Sequence, residues 1–263
     1  MLRSVKSLEG FSIGATDGAI GTVKDFYFDD EAWVIRYAVV NTDAWLGHEV
    51  LISPHSLGQA DEARKVLPVT IGKNQVKHSP GIDTDKPISR QYEASYLSYY
   101  GYPYYWGGTG LWGALDYPGT ILTGTGPSAF RGHLRAPSAG RDADADPHLH
   151  SCNAVMGYHI HARDGDIGHV QGFLVDDYLW SIRYLIVNTS NWWVGHQVTV
   201  SPEWIQNVSW PESKVTIDLD RQAIMGAPAY DEKALLDRDA ELRIYNHYGR
   251  NGYWQSERER AIA

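Results

Sequence analysis

The stretch Gly10-Phe-Ser-Ile-Gly-Ala-Thr-Asp-Gly-Ala-Ile-Gly-Thr-Val23, followed by Phe26 to Asp30 and by Trp33-Val-Ile-Arg-Tyr-Ala-Val-Val40, decides the fold because the chain writes it twice. Sliding the sequence by 147 positions lays Gly10 to Trp45 on Gly157 to Trp192 with 19 of 36 positions identical. One extra residue enters within Trp192-Trp193-Val194-Gly195. Gly47-His48 then meets Gly195-His196, Ser53-Pro54 meets Ser201-Pro202, and Tyr100-Gly101 meets Tyr248-Gly249 at a shift of 148. A repeat unit near a hundred residues predicts two copies of one domain, since shorter units are what stack into solenoids. The duplication is also an internal control: a functional residue present in only one copy is suspect.

Within a copy, apolar residues alternate. Phe11 and Ile13 lead to Asp17-Gly18, a dipeptide that tolerates positive φ in a tight turn, and Ile20 to Phe28 reads as the returning strand. Trp33, Ile35, Tyr37 and Val39 fall on one face of the next strand, with Val34, Arg36, Ala38 and Val40 on the other. Glu49 to Ser53 and Val66 to Ile71 complete the first set; Ile167 to Val175, Trp180 to Val187, Gln197 to Ser201 and Lys214 to Leu219 repeat it. Short strands with frequent turns predict a mainly β chain of two small barrels, which remove exposed edges by closing.

A helix follows each set. Ile88 to Tyr100 lies between Pro87 and Gly101, and Leu236 to Tyr248 stops at Gly249, a residue type that ends helices in left-handed geometry. Tyr92, Tyr96, Tyr99 and Tyr100 form a stripe expected to pack as core. Gly119 to Pro147 is built mostly of Gly, Pro, Ser, Thr, Ala and Asp and reads as a mobile linker. The expected organisation is 1–106 as first barrel plus helix, 107–152 as linker and 153–263 as second barrel plus helix.

The quoted residues resemble the PRC-barrel family, named for the photosynthetic reaction centre, and the two occurrences cover about two-thirds of the chain. The resemblance implies small six-stranded barrels used as assembly modules. In that family the barrel occurs in the cytoplasmic part of reaction-centre H subunits and at the C-terminal end of ribosome maturation factors that bind a small-subunit ribosomal protein. This chain is more similar to free-standing double-barrel bacterial proteins, for which the family supplies no agreed reaction.

Composition narrows the partners. The formal charge is −9, and Lys and Arg number 10, 3 and 10 against 13, 4 and 15 Asp and Glu in residues 1–106, 107–152 and 153–263. No segment is basic, which argues against nucleic acid. The single Cys152 excludes an intrachain disulfide and fits a reducing compartment. The start lacks an apolar leader, and Thr109 to Gly126 is too short and too broken to span a bilayer. The expectation is a soluble cytoplasmic protein, with peripheral association to a membrane complex requiring a protein partner because an acidic chain gains nothing from anionic lipid.

Four groups invite chemistry. His148, His150 and Cys152, with His159 and His161, alternate as zinc ligands on an extended chain would, but His159 and His161 fall on Ser12 and Gly14 in the first copy, and no metal or other cofactor is expected. Gly108-Thr109-Gly110-Leu111-Trp112-Gly113 spells a dinucleotide fingerprint without the strand and helix such a site needs. Arg36 and Arg183 occupy one mid-strand position in both copies and are expected to pair structurally with nearby acids: Asp25, Asp29 or Asp30 in the first copy, Asp176 or Asp177 in the second. Trp45, Trp192 and Trp193 stand in the loop before Gly-His and are the candidate protein-interaction residues, although capping of the barrel end is the blander role for such rings. The functional expectation is a non-enzymatic scaffold that binds a protein partner or itself. A ribosome-assembly or RNA-associated role, a peripheral subunit of a photosynthetic or other membrane complex, and a small-ligand or metal binder are the alternatives.

Overall fold

A computed structural model describes residues 1–42, 46–81, 88–106, 108, 110–113, 115–118, 148–189, 196–255 and 257. Along the chain, β1 (Leu2–Ser4) and α1 (Val5–Leu8) precede β2 (Ser12–Ala15), β3 (Gly18–Asp29), β4 (Val34–Asn41), β5 (Glu49–Ile52) and β6 (Val66–Pro68), then α2 (Lys73–Lys77) and α3 (Arg90–Tyr100). The second copy keeps the order: β7 (Leu149–Ser151), α4 (Cys152–Val155), β8 (His159–Ala162), β9 (Gly165–Asp176), β10 (Ile182–Asn188), β11 (Gln197–Val200), β12 (Ile205–Ser209), β13 (Lys214–Ile217), α5 (Arg221–Met225) and α6 (Arg238–His247). The fold is mainly β. No helix among the described residues is long and apolar enough to cross a membrane.

The strands form two mixed sheets. One runs β5-β4-β3-β2-β6 with β7 added on β3, the other β11-β10-β9-β8-β13-β12 with β1 added on β9. In each, one pair is parallel: β2 with β6 and β8 with β13. The first-copy counterpart of β12 makes only the isolated pairs Leu57–Val69 and Asp61–Val66.

These pairings exchange the two lead-in strands. The chain divides into two compact units, the first holding Met1, 7–154 and 176–181, the second 2–6, 155–175 and 182–263. The lead-ins are themselves repeats, with Leu2 and Ser4 matching Leu149 and Ser151 at the 147-residue shift. Yet β1, which precedes the first copy, completes the sheet of the second unit, and β7, which precedes the second copy, completes the sheet of the first. Residues 148–152 are therefore ordered parts of the first unit, and the compact units do not follow contiguous boundaries at 106 and 152. The remaining linker, Gly119 to Pro147, lies outside the described residues.

Local chemistry explains the elements. Asp17 and Asp164 brace the hairpin turns by accepting from the backbone N–H groups of Lys73 (2.8 Å) and Arg221 (2.8 Å). The β3–β4 and β9–β10 connections are one turn used twice: Trp33 and Trp180 sit at φ 54° and 58°, and their N–H groups donate to the carbonyls of Asp29 (2.8 Å) and Asp176 (2.7 Å). A bulky residue in that region is strained, and the Asp carboxylates offset the strain by accepting from the turn backbone: Asp29 from Glu31 and Ala32, Asp176 from Tyr178 and Leu179. Helix α3 begins at Ser89, whose hydroxyl accepts from Tyr92 N–H, and ends at Gly101 in left-handed geometry (φ 71°). Asp237 caps α6 in the same way, accepting from Ala240 N–H at 2.9 Å.

Strand β4 is buried from Val34 to Val40 on both faces, as is β10 from Ile182 to Val187. Helix and sheet share the core of each unit: Tyr37 meets Tyr96 edge-on at 5.2 Å in the first, and Tyr184 meets Tyr245 edge-on at 6.2 Å in the second. The tyrosine stripe is only partly core. Tyr96 is buried, whereas Tyr99 is exposed and donates to the Gln75 carbonyl.

Candidate functional site

The polar groups that recur in both copies converge on one buried carboxylate in each unit. Helix α3 carries Glu93, with no exposed surface, and Tyr37 (3.1 Å) and Tyr105 (2.6 Å) both donate their hydroxyls to its Oε1. Helix α6 carries Glu241 in the matching place, accepting from Tyr184 (2.9 Å) and Tyr253 (2.9 Å). Arg90 and Arg238, one helical turn earlier, reach the other carboxylate oxygen at 3.5 and 3.1 Å. Arg90 lies over Trp106, and Arg238 over Trp254. Burial, reinforced by the carboxylate, pushes the hydroxyls of Tyr37, Tyr105, Tyr184 and Tyr253 above their ordinary titration range, so they remain donors. The arrangement ties each helix, and the aromatic segment after it, to the middle of a sheet strand.

Beside it stands Arg36. Its guanidinium is buried, donates from Nε (3.3 Å) and Nη2 (3.0 Å) to one oxygen of Asp29, and gives Nη1 to the Leu111 carbonyl at 2.7 Å. Tyr105 and Trp112 lie 3.8 and 4.8 Å from it with their rings. Arg183 has the matching position over Tyr253 (4.0 Å) but a different acid: its Nη2 donates to Glu257 at 2.6 Å, not to Asp176 or Asp177. Asp176 is engaged by its own turn, and Asp177 pairs with the Met1 ammonium at 2.6 Å. Asp25 accepts from Ser151 and Asn153, and Asp30 meets His150 Nε2 at 3.1 Å.

The five His and Cys residues are divided between the two units. His148 is buried in the first unit with Nε2 at 2.8 Å from Glu93 and 3.1 Å from the Tyr105 hydroxyl, and Cys152 is buried there with its thiol pushed up by burial. His159 and His161 belong to the second unit, where His161 faces Asp166 at 2.7 Å. Among the described residues no three His, Cys, Asp or Glu side chains gather to hold a metal ion. Gly110 to Gly113 forms a tight hairpin closed by a Gly110–Gly113 bridge, and its Trp112 packs against His55. Trp45, Trp192 and Trp193 lie outside the described residues.

The carboxylate with its two tyrosines is the feature missed in the sequence. Its signal was present: at the 148-residue shift Arg90, Glu93, Tyr105 and Trp106 match Arg238, Glu241, Tyr253 and Trp254. No family model matches this chain, and no curated protein matches it.

Proposed function

We propose that this chain is a non-enzymatic interaction protein of the reducing cytoplasm, in which two PRC-type barrels act as docking bodies for a protein partner, the nearest candidate being a second copy of the chain. One observation carries the reading: the helix carboxylates, the mid-strand arginines and the tyrosines around them, common to both copies, are buried. Glu93 and Glu241 each accept two tyrosine hydroxyls that hold helix to sheet, and the Arg36 guanidinium is taken by Asp29 and the Leu111 carbonyl. A catalytic acid, base or ligand-binding cation needs a face open to its substrate, and these groups have none. Duplication of a module whose shared ionisable groups face inward fits selection on its outer surface.

The test is sedimentation equilibrium of the full chain across a wide concentration range, beside a thermal-shift screen of metal ions, nucleotides and metabolites. The expected result is a mass that rises above the monomer with concentration and no stabilising small molecule. A strictly monomeric chain that a metabolite or metal ion stabilises overturns the reading.

A further inference from the structure

The exchange of lead-ins means that neither sheet is completed by the strand that precedes it in sequence, so each has a position built to receive a strand from elsewhere. The receptor on β3 is the more specific. β7 pairs antiparallel with it, Tyr27 opposite Ser151 and Asp29 opposite Leu149. Asp25 reads the incoming segment, accepting from the Ser151 hydroxyl and from Asn153 N–H (3.2 Å) while Phe26 N–H holds it in place at 2.7 Å. Leu149 and Cys152 fill the apolar part of the seat. At the position of Asp25 the other receptor strand, β9, has Gly172, so the serine and asparagine of β7–α4 find their acceptor on β3 and not on β9.

We propose that this position on β3 is a docking site for the β7–α4 segment of a second copy of the chain, so that the protein self-associates by exchanging everything that follows the Gly119–Pro147 segment, with β1 of each chain pairing with β9 of the other. The inference rests on the interaction reading above and makes its partner specific. The segment reaches its seat after the 29 residues from Gly119 to Pro147. Every bond that it makes on β3 is the same whichever molecule supplies it. An exchanged pair and a closed monomer therefore differ mainly in the entropy of association, which concentration offsets.

Two full-length chains are co-expressed, one carrying Tyr27→Cys and a tag that alters its mass, the other Ser151→Cys. Both carry Cys152→Val, the residue that the first copy has as Val5, to remove the native thiol. A short bis-maleimide then joins thiols only where β7 of one chain lies on β3 of the other. The expected product is a mixed cross-linked pair, and the chain carrying both substitutions is expected to cross-link as well. If that double variant does not react, the seat itself is wrong and the proposal falls. If sedimentation shows dimers but no mixed product forms, strand exchange is overturned while self-association stands. A chain that is monomeric at every concentration overturns both. Asp25→Ala in the receiving chain is expected to lose the mixed product; retention of it would show that the segment is not read by this carboxylate.

Discussion

Arg36 is held in a strand whose two faces are both buried, so its charge has no route to water and must be matched inside. Removing one member of such a pair leaves the other charge buried and uncompensated, which costs more than the pair contributes. Arg36→Ala is expected to lower unfolding free energy by about 3–5 kcal/mol, read as a shifted urea midpoint. Arg183→Ala should cost less, because its partner Glu257 keeps 33% of its side-chain surface in solvent. His55 supplies the pH dependence. Burial lowers it to about 4, with the nearby Arg36 adding to the shift and the bond to the Pro118 carbonyl opposing it. In the unfolded chain the ring takes up its proton near pH 6.5, so stability falls as pH drops from there through about 4. The loss amounts to on the order of 3 kcal/mol. His55→Phe, which keeps a ring against Tyr102 and Trp112, should flatten that acid limb in denaturation curves taken at a series of pH values.

At the scale of the element, the long strands β3 and β9 carry a close approach that only glycine permits. A Cβ on Gly21 would fall on the Asn41 carbonyl, and one on Gly168 on the Asn188 carbonyl, in each case on the neighbouring strand's backbone. Gly21→Ala and Gly168→Ala should each cost several kcal/mol, at least about 2, with hydrogen exchange faster in β4 or β10. The helix-to-sheet ties predict alkaline behaviour. Buried hydroxyls such as Tyr37 and Tyr184 stay protonated in the fold and ionise in the unfolded chain above about pH 10. Stability therefore drops as pH rises beyond that point, and phenolate absorbance should appear together with unfolding, not ahead of it.

Much of this scale was legible. Asp17-Gly18 and Gly101 mark a turn and a helix end by local backbone chemistry, and the two long strands announce themselves by length, whereas the cap at Ser89 was passed over for Pro87. The lead-in strands did not, because three residues show no period and their partners lie over a hundred positions away. Glu93 sat in view as one acid on a tyrosine-rich helix; only its recurrence beside Arg90, Tyr105 and Trp106 distinguishes it. Arg183 misled for another reason: Asp29 and Asp176 recur together, but Asp176 is engaged by its own turn, Asp177 by the Met1 ammonium, and the acid that meets the second arginine, Glu257, lies far along the chain.

For the whole molecule, the partition into units is the result that periodicity alone did not reach. The repeat predicts two contiguous halves, whereas the compact units interleave. Deleting residues 2–6 should therefore injure the second unit. Hydrogen exchange is expected to lose protection along β9, whose added partner strand is gone, while β4 stays protected; loss confined to the first unit would contradict the topology. The interleaving also bears on synthesis. When a ribosome has finished the first copy, its sheet still lacks β7 and the turn at 176–181, which have not yet been translated. The first body cannot reach its final form during elongation of its own repeat, whereas the strand that the second borrows is already made, so folding of the first must wait for the nascent chain to run well into the second repeat, and the early product has an open seam that a chaperone or a neighbouring nascent chain on the same messenger can reach first.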